Sequence, residues 1–339
     1  MANQSNGVTI KSIAERLGVS FSTVSKALNG NPTVNPKTRR LVEETAKEMN
    51  YTRNVFASGL RQKGSRTVAI IVNDIDIPAY GEMIAAISGK LAEYGYSTMI
   101  SDSRYSEEFE RNSIRTMLSW HPEAVIIAPA DPAGENLNLL LPLQNNTLVI
   151  GDPEDKRFNS VSVDHFYAGF ASAEKLLKNG VRSNLVLGGP VGYRSGDLYL
   201  SGIRSAYEKN GMELAEKRVF HFKPDQRTAF RTFTDFWNES GEKCEGVLCF
   251  CDSMAYGVYR AAREMGLSIP ADISVIGYDD GPANEFTQPP LTTVHMPKDL
   301  IAGHCADFVI SRLVNKDTAP YNYRLKPYLA NRESVRTKK

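Results

Sequence analysis

The stretch GVSFSTVSKALNG, residues 18–30, combines a helix-like apolar pattern with short hydrogen-bonding side chains. On a helical wheel one narrow stripe is apolar, formed by Val24, Ala27 and Leu28. The opposite face carries small polar or charged side chains, namely Ser22, Lys26 and Asn29. A face that is merely solvated is usually built from Glu, Lys and Gln, because these residues favour the helix. The face seen here is instead suited to enter a major groove and hydrogen-bond with base edges.

Three short helices are predicted to position this face. Thr9 and Ser12 are both suitable N-caps for a first helix, which Gly18 would end. Ser20 is placed to cap the second helix, and Asn35-Pro36 is typical of the start of a third. The predicted buried stripe of the third helix is Leu41, Val42, Thr45, Ala46 and Met49. Two helices joined by a tight turn containing glycine, with a third packed behind, indicate a helix-turn-helix domain.

The distribution of charge supports a polyanion partner for this domain. Residues 1–66 carry eleven Lys or Arg and four acids, a net charge of +7, although the whole chain has a net charge of only +1. The remaining residues therefore carry −6. A basic region with strong apolar periodicity, followed by an acidic body, predicts nucleic-acid binding by the N-terminal region alone.

Beyond residue 66 the pattern alternates apolar strands with segments of helical length. The predicted strands are 67–72, 97–101, 124–129, 148–152, 184–189, 218–222, 246–251 and 274–279. Near-continuous apolar strands separated by helices indicate parallel sheets covered on both faces. Two similar runs of four strands predict two doubly wound lobes, with LTTVHM and YNYRLKPYL as crossing and edge segments. Ligands of such sheets bind beyond the carboxyl ends of the strands, so the cleft between the lobes is the expected site.

Motifs for catalysis and metal binding are not found. The sequence has no GxGxxG, P-loop, HExxH or GxSxG motif, and its five histidines show no helical metal-ligand spacing. The four cysteines lack CxxC spacing and are expected to be buried free thiols, which favours a reducing, cytoplasmic location. No apolar run reaches the length of a membrane span, and the N-terminus has no signal-peptide core. We expect no catalytic residues, no metal and no cofactor.

The segment from VTIKSIAERLGVSFSTVSKALNG to TVAIIV resembles the N-terminal region of LacI/GalR-family transcriptional regulators. GVSxxTVSxxLN is its most specific part, and the similarity continues over essentially the whole chain through SGIRSAY, CDSMAYG, ISVIGYDD and PPLTTVHMP. The resemblance implies that the second helix reads an operator. It assigns the principal base contacts to Phe21, Ser22 and Lys26, and further base or phosphate contacts to Thr23, Ser25 and Asn29.

The resemblance also implies a hinge helix within NVFASGLR, residues 54–61. A free helix of this length is marginal, and Gly59 costs about 1 kcal/mol relative to alanine. In the family such helices become ordered on DNA, pair in the minor groove and insert a leucine, here Leu60, into the central base step. Ala57 and Gly59 would permit the close approach of the two helices.

Effector-binding residues are also implied by the resemblance. The matching positions in the cleft are Asn73, Tyr80, Asp152, Arg194, Tyr199, Phe222, Cys251 and Asp279. Two of them depart from the family pattern. Tyr199 stands where many relatives have an arginine, and Cys251 where Asn or Ser is common. Arg194 is a nearby substitute for the missing arginine. Both departures remove polar anchors and put a standard sugar-binding mode in doubt.

Together these features predict a mixed α/β protein with three parts. They are a helix-turn-helix domain at residues 1–52, a hinge helix and linker at 53–66, and a two-lobed, periplasmic-binding-protein-like domain at 67–339. Lobe 1 is expected to comprise about 67–163 and 296–320, and lobe 2 about 164–295 and 321–339. The expected protein is a homodimeric, cytoplasmic transcriptional repressor that binds a pseudo-palindromic double-stranded operator and responds to a sugar, sugar derivative, nucleoside or nucleobase.

Two alternatives belong to other functional classes. A solute-binding or sensor protein of the same two-lobed fold would need an export signal and no basic helical domain. A small-molecule enzyme with a regulatory N-terminal region would show turnover by the purified protein. The short C-terminal segment has no heptad repeat, which favours a dimer over a tetramer held by a coiled coil.

Overall fold

The computed structural model describes residues 8–51, 64–239 and 243–337, and the chain divides between Ser65 and Arg66 into two compact units. Most of the predicted hinge and linker lies outside the described residues, including Ala57 and Leu60. The two units are described separately below.

The N-terminal unit contains three helices, α1 (Ile10–Leu17), α2 (Phe21–Leu28) and α3 (Pro36–Glu48). Of the two suggested caps of α1, Thr9 takes the position: its hydroxyl accepts from the Ser12 amide, and the Ser12 hydroxyl accepts from the Thr9 amide. Gly18 ends α1 with a φ of 64°, a left-handed conformation that favours glycine. Local capping chemistry therefore sets the turn between α1 and α2.

The three helices enclose a small apolar core. Its buried members are Ile13, Ala14, Val24, Ala27, Val34, Val42 and Ala46. The prediction that Leu41 belongs to the buried stripe of α3 is wrong, since half of its surface is exposed. Leu41 precedes the fully buried Val42, and successive helical residues are rotated by about 100°, which turns Leu41 away from the core.

Lobe 1 of the second unit is built on a parallel sheet. Numbered along the whole chain, its strands are β1 (Thr67–Val72), β2 (Ser97–Asp102), β3 (Ala124–Ile127), β4 (Thr147–Ile150), β5 (Asn159–Val163) and β11 (Asn322–Leu325). Their order in the sheet is β11-β5-β4-β3-β1-β2. The covering elements are α4 (Pro78–Glu93), α5 (Glu107–Ser119), a 3-10 segment (Glu135–Asn146) and α10 (Lys298–Leu313).

Lobe 2 repeats this design. Its strands are β6 (Asn184–Gly188), β7 (Val219–His221), β8 (Gly246–Cys249), β9 (Ser274–Asp279), β10 (Thr292–His295) and β12 (Tyr328–Ala330). They lie in the order β12-β10-β9-β8-β6-β7, with only β12 antiparallel to its neighbour. Its helices are α6 (His165–Lys178), α7 (Arg194–Lys209), α8 (Gln226–Glu239) and α9 (Asp252–Glu264).

The sheets correct the sequence-based division in two places. The segment from residue 321 was expected to belong to lobe 2, but β11 pairs in parallel with β5 of lobe 1, and only β12 joins lobe 2. Strand β5 itself was not predicted. Asn159 and Ser160 make its start polar, and the exposed residues of β11 show no apolar run. Strand β11 depends on its pairing with the distant β5 rather than on local hydrophobicity, whereas β5 also pairs with the adjacent β4.

Helices α6 and α7 cross in very close contact. At Gly169 a side chain would overlap the carbonyl oxygen of Tyr199, and at Gly202 it would overlap that of Phe166. Two glycines at the crossing thus allow the backbones of the two helices to approach closely. Among the described residues, no helix has both the length and the apolar character needed to cross a membrane.

Candidate functional site

The outward face of α2 is the first candidate site. Phe21 is 45% exposed, and Ser22, Lys26 and Asn29 are also exposed, whereas Val24 and Ala27 are completely buried. The exposed face therefore matches the face selected on the helical wheel. The Asn29 amide Nδ2 donates to the carbonyl oxygen of Ser25 at 2.7 Å, which holds this side chain against the end of the helix.

Thr23 and Ser25, two other predicted DNA-contacting residues of α2, are less accessible. Thr23 is half-buried: its amide donates to the Ser20 hydroxyl at 3.1 Å, and the two hydroxyl oxygens lie 2.8 Å apart. Ser25 is 9% exposed and faces the domain interior. The outward face thus presents Phe21, Ser22, Lys26 and Asn29 more fully than Thr23 and Ser25. The predicted contacts of Ala57 and Leu60 lie outside the described residues.

The second candidate site is a cleft between the two lobes, at the carboxyl ends of their strands. Its larger part, which we call the inner chamber, has an empty volume of about 690 Å³, including space open to solvent. The chamber is lined by Ile77, Ala79, Tyr80, Met83, Tyr105, Ile150, Gly151, Val161, Val163, His165, Tyr193, Ser195, Pro224, Phe250, Cys251, Tyr278, Asp279, Met296 and Ile301.

A hydrogen-bonded group of polar residues spans the cleft at Asn73. This side chain follows β1 and is 1% exposed. Its Nδ2 donates to the hydroxyl of Tyr80 at 3.2 Å and to that of Tyr193, from lobe 2, at 2.9 Å. The side-chain oxygen Oδ1 of Asn73 accepts from the Ser103 hydroxyl at 3.3 Å. The Asn73 side chain thus makes its hydrogen bonds within the protein and supports the chamber wall, whereas Tyr80 lines the chamber.

Asp279 and Cys251 both line the inner chamber, at the ends of neighbouring strands of lobe 2. Burial raises the pKa of Asp279 well above its usual range, and the nearby negative charge of Asp252 adds to the shift. Burial also raises the pKa of the Cys251 thiol, which is therefore protonated at neutral pH. Asp279 has a φ of 113°, which non-glycine residues rarely adopt. This strained backbone conformation occurs at the residue whose carboxyl group lines the chamber.

Asp252 explains how the turn after β9 is held. The carboxylate of this buried residue, at the start of α9, accepts from the Gly281 amide, the Asn284 side chain and the Thr293 hydroxyl at 2.6–2.8 Å. Burial raises the pKa of Asp252, and the three hydrogen bonds oppose the shift. Asp252 therefore stabilises the loop that presents Asp279.

A smaller part of the cleft, which we call the outer chamber, contains Asp152 and Arg194. Its empty volume is about 440 Å³, including space open to solvent. It is lined by Pro129, Pro132, Ile150, Gly151, Asp152, Ser162, Val163, His165, Tyr193, Arg194, Ser195, Leu198 and Arg324. The Arg194 guanidinium group lies 4.0 Å from Asp152 and 3.8 Å from Glu154, so these ion pairs are loose.

The other two predicted effector contacts are not at the surface of either chamber. Tyr199 is 1% exposed, and its ring packs against Phe250 and Tyr278, which themselves line the inner chamber. The chamber thus does not present a Tyr199 hydroxyl where the family pattern has an arginine. Phe222 is half-buried and packs against the core of lobe 2. Tyr199 therefore supports the cleft from behind, whereas Phe222 belongs to the core packing of lobe 2.

Several lining residues were missed by the sequence reasoning. Tyr105, His165, Tyr193, Phe250 and Tyr278 contribute most of the ring surface of the inner chamber. All of them lie within or shortly after strands, so the rule that ligands bind beyond strand ends could have identified them. The Tyr193 ring meets Tyr105 of the other lobe edge to face, with centroids 5.1 Å apart. Such a contact between lobes has no local signal in the sequence.

His165 is held in its neutral form. Its Nδ1 lies 2.7 Å from the Tyr278 hydroxyl, and the two rings stack with centroids 5.9 Å apart. Burial lowers the pKa of His165 to about 4, and the positive charge of Arg324 contributes to this effect. Burial likewise raises the pKa of Tyr278 well above its usual range. His165 and Tyr278 therefore present uncharged rings to the inner chamber at neutral pH.

Comparison with known proteins finds similarity along both units. Residues 9–54 match the lacI family of bacterial regulatory proteins, and residues 173–335 match a periplasmic binding protein-like domain. The HTH-type transcriptional repressor PurR of Proteus mirabilis (strain HI4320) is 27% identical over 330 residues, which cover 96% of each chain.

Solved structures show the same architecture. A lac repressor dimer bound to operator and the anti-inducer ONPF has a TM-score of 0.80 and 27% identity, covering 97% of this chain and 99% of that one. A LacI-family transcriptional regulator from Silicibacter pomeroyi has a TM-score of 0.85 at 22% identity, covering 97% and 100% of the two chains. This second likeness concerns the fold alone.

Proposed function

The chain belongs to the lacI family of bacterial regulatory proteins, and on this premise we propose that it is a cytoplasmic transcriptional repressor. It binds a pseudo-palindromic operator as a homodimer and responds to a small molecule held between its lobes. Two copies place two α2 helices on half-sites, so the two-fold symmetry of the operator mirrors that of the dimer.

The observation that carries the DNA-binding part of the proposal is the outward face of α2. Val24 and Ala27 are completely buried and hold the helix, which leaves Ser22, Lys26 and Asn29 exposed for other contacts. Short side chains let the helix approach base edges closely, and Lys26 can donate to the acceptors of a guanine. The exposed Phe21 is suited to contact a thymine methyl group.

The chemistry of the inner chamber supports an effector without negative charge. None of the residues that line it is Lys or Arg, and its one carboxyl group is Asp279. An anionic effector would have to leave water for a site with no cation on its wall. Tyrosine rings can stack on a planar or sugar ring, and Asp279 can accept from a hydroxyl or amine donor.

Two titratable groups of the inner chamber, His165 and Cys251, favour binding over catalysis. A general acid or base works best when its pKa lies near the operating pH. Here burial lowers the pKa of His165 to about 4 and raises the pKa of the Cys251 thiol well above its usual range. Neither of these two groups is poised to transfer a proton at neutral pH. Together with the similarity to a transcriptional repressor along almost the whole chain, this supports our proposal that the protein has no enzymatic activity.

Selection of bound fragments from a random DNA library tests the operator proposal. The purified full-length chain should enrich a motif with two inverted half-sites, and its affinity should fall when either half-site is scrambled. Enrichment of a single half-site, or no enrichment at all, would contradict dimeric operator binding.

Substitutions then test whether Lys26 contacts a base. Lys26→Ala should change the base preferred at one position of each half-site, with a discrimination of about 1–3 kcal/mol, because a base contact is lost. Lys47→Ala is the matched control, since it removes an exposed lysine from the last turn of α3 rather than from the outward face of α2. A uniform loss of affinity on all sequences with Lys26→Ala would make Lys26 a phosphate contact instead.

A further inference from the structure

An ion pair joins the two lobes beside the inner chamber. Asp74 follows β1 in lobe 1, and Lys223 follows β7 in lobe 2. The Nζ atom of Lys223 lies 2.9 Å from Oδ2 of Asp74. Ile77, which comes shortly after Asp74, and Pro224, which comes directly after Lys223, both line the inner chamber. The pair therefore lies at the edge of the proposed effector site and holds only while the lobes are close together.

The two partners of this ion pair differ strongly in burial. The Asp74 side chain is 6% exposed, whereas the Lys223 side chain is 48% exposed. Oδ1 of Asp74 also accepts from the Asp76 amide at 3.1 Å, and among the described residues Lys223 is the one cation that pairs with this carboxylate. A buried carboxylate without a cation is strongly unfavourable, whereas a half-exposed ammonium group keeps much of its hydration. Asp74 therefore depends on Lys223 more than Lys223 depends on Asp74.

From this asymmetry we propose that Lys223 is a latch for the cleft: the lobes close over the effector site only while its ammonium group compensates the charge of Asp74. When the lobes separate, water replaces the ammonium group at the carboxylate, and the inner chamber becomes accessible to the effector. The inference rests on the proposed effector site and adds a control on access to it. The latch is distinct from the hydrogen bond between Asn73 and Tyr193, which joins neutral groups and is less sensitive to salt.

The cysteines of the chain provide a reporter of cleft opening. Cys251 lines the inner chamber and is 3% exposed. Two other cysteines, which we call the core cysteines, are completely buried: Cys249 in the core of lobe 2 and Cys305 in the core of lobe 1. Methyl methanethiosulfonate, a small uncharged reagent, labels accessible thiols, and mass spectrometry of the full-length chain follows each cysteine separately. Opening of the cleft exposes Cys251 alone, whereas unfolding also exposes the core cysteines.

Lys223→Met tests the latch directly. It should increase the labelling rate of Cys251 at least about 10-fold and leave the core cysteines unchanged, because closure would now bury an uncompensated carboxylate. Loss of a nearby positive charge by itself disfavours the reactive thiolate, so a faster reaction reports opening. Lys209→Met is the matched control: Lys209 pairs with Glu174 at 2.7 Å within lobe 2, and its loss should leave the Cys251 rate unchanged.

Asp74→Asn tests whether the charge of Asp74 is the cause. In this background the buried group is neutral, so adding Lys223→Met should change the Cys251 rate by less than about 2-fold. Three results would overturn the proposal. They are an unchanged Cys251 rate in Lys223→Met, an increase of about 10-fold that persists in the Asp74→Asn background, and an equal increase in Lys209→Met.

Salt provides a second test that needs no substitution of Lys223. Raising sodium chloride from about 0.1 M to about 1 M shortens the Debye length from about 10 Å to about 3 Å, which weakens a pair whose ammonium group is half-exposed. The Cys251 rate of the unaltered chain should rise about 3-fold or more, because the closed arrangement loses part of its charge compensation. The rate of Asp74→Asn should not rise, and equal responses of the two chains would contradict the latch.

Operator binding of the unaltered chain is measured in parallel, by selection from the random DNA library. A chain that selects its operator but fails the labelling tests refutes the latch alone. A chain that selects no operator refutes the proposed function, whatever the labelling rates are.

Discussion

Replacing Tyr193 by phenylalanine tests whether the lobes are held together by the protein's own side chains. Asn73 Nδ2 donates to the Tyr193 hydroxyl at 2.9 Å, and this bond joins lobe 1 to lobe 2. A second link joins Lys223 to the buried carboxylate of Asp74 at 2.9 Å. Tyr193→Phe keeps the ring and its packing against Tyr105 but removes the acceptor.

The size of the effect follows from the burial of Asn73. In the closed arrangement this side chain is 1% exposed, so the substitution leaves one of its amide N–H groups without an acceptor. A buried unsatisfied donor costs about 1–3 kcal/mol, whereas in an open cleft water can satisfy the same group. The closed-to-open ratio should therefore fall about 5- to 150-fold, since about 1.4 kcal/mol corresponds to a factor of ten.

The distance between one dye on each lobe, followed by single-molecule energy transfer, measures this ratio. Tyr207→Phe is the matched control: Asn184 Nδ2 donates to Tyr207 at 2.7 Å in the same type of pair, entirely within lobe 2. It should lower the melting temperature without changing the distance between the lobes. The reasoning is refuted if Tyr193→Phe leaves the distance distribution unchanged, or if Tyr207→Phe opens the lobes equally.

Two further predictions concern stability. Gly202→Ala should lower the free energy of unfolding by about 1–3 kcal/mol, because the added methyl group overlaps the carbonyl oxygen of Phe166. The control is Ser201→Ala at the exposed neighbouring position, which should change the free energy of unfolding by less than about 0.5 kcal/mol. Unfolding in denaturant measures both variants. For His165, burial lowers the folded-state pKa to about 4 from 6.5, so the unfolded chain binds more protons between these values. This contribution to stability is complete above pH 6.5 and is lost as the pH falls toward 4, by up to about 1.4 kcal/mol per pH unit. His165→Phe should flatten that slope in urea titrations, and an unchanged slope would contradict the assignment.

Elements with strong local signals could be predicted from the sequence. The TVAIIV run gives β1 its observed bounds, Thr67–Val72, because every residue from Val68 onward is buried. Ser20 and Asn35 cap α2 and α3 as expected, since an N-cap depends on a hydrogen bond to an amide two or three residues away. Strand β5 was not predicted, because its first residues are polar, and the lobe that β11 joins could not be predicted, because its partner β5 lies more than 150 residues earlier in the chain.

The two candidate sites differ in how far the sequence alone could identify them. The outward face of α2 could be identified from the sequence because a helix places residues on one side by a fixed rotation per residue. In the cleft, the resemblance indicated Tyr80, Asp152, Arg194, Cys251 and Asp279, which line the chambers, and their contact with an effector stays a prediction.

The sequence by itself determined the two-part organisation, the helix-turn-helix domain, the alternating strands and the face that α2 presents, since all of these depend on neighbours close in the chain. Only the tertiary structure decided that Tyr199 packs behind the chamber wall and that Tyr193 lines both chambers. Asn73 and Tyr193 meet across 120 residues of intervening chain. Such a contact depends on how two separately folded sheets close against each other, and no local pattern of residues encodes it.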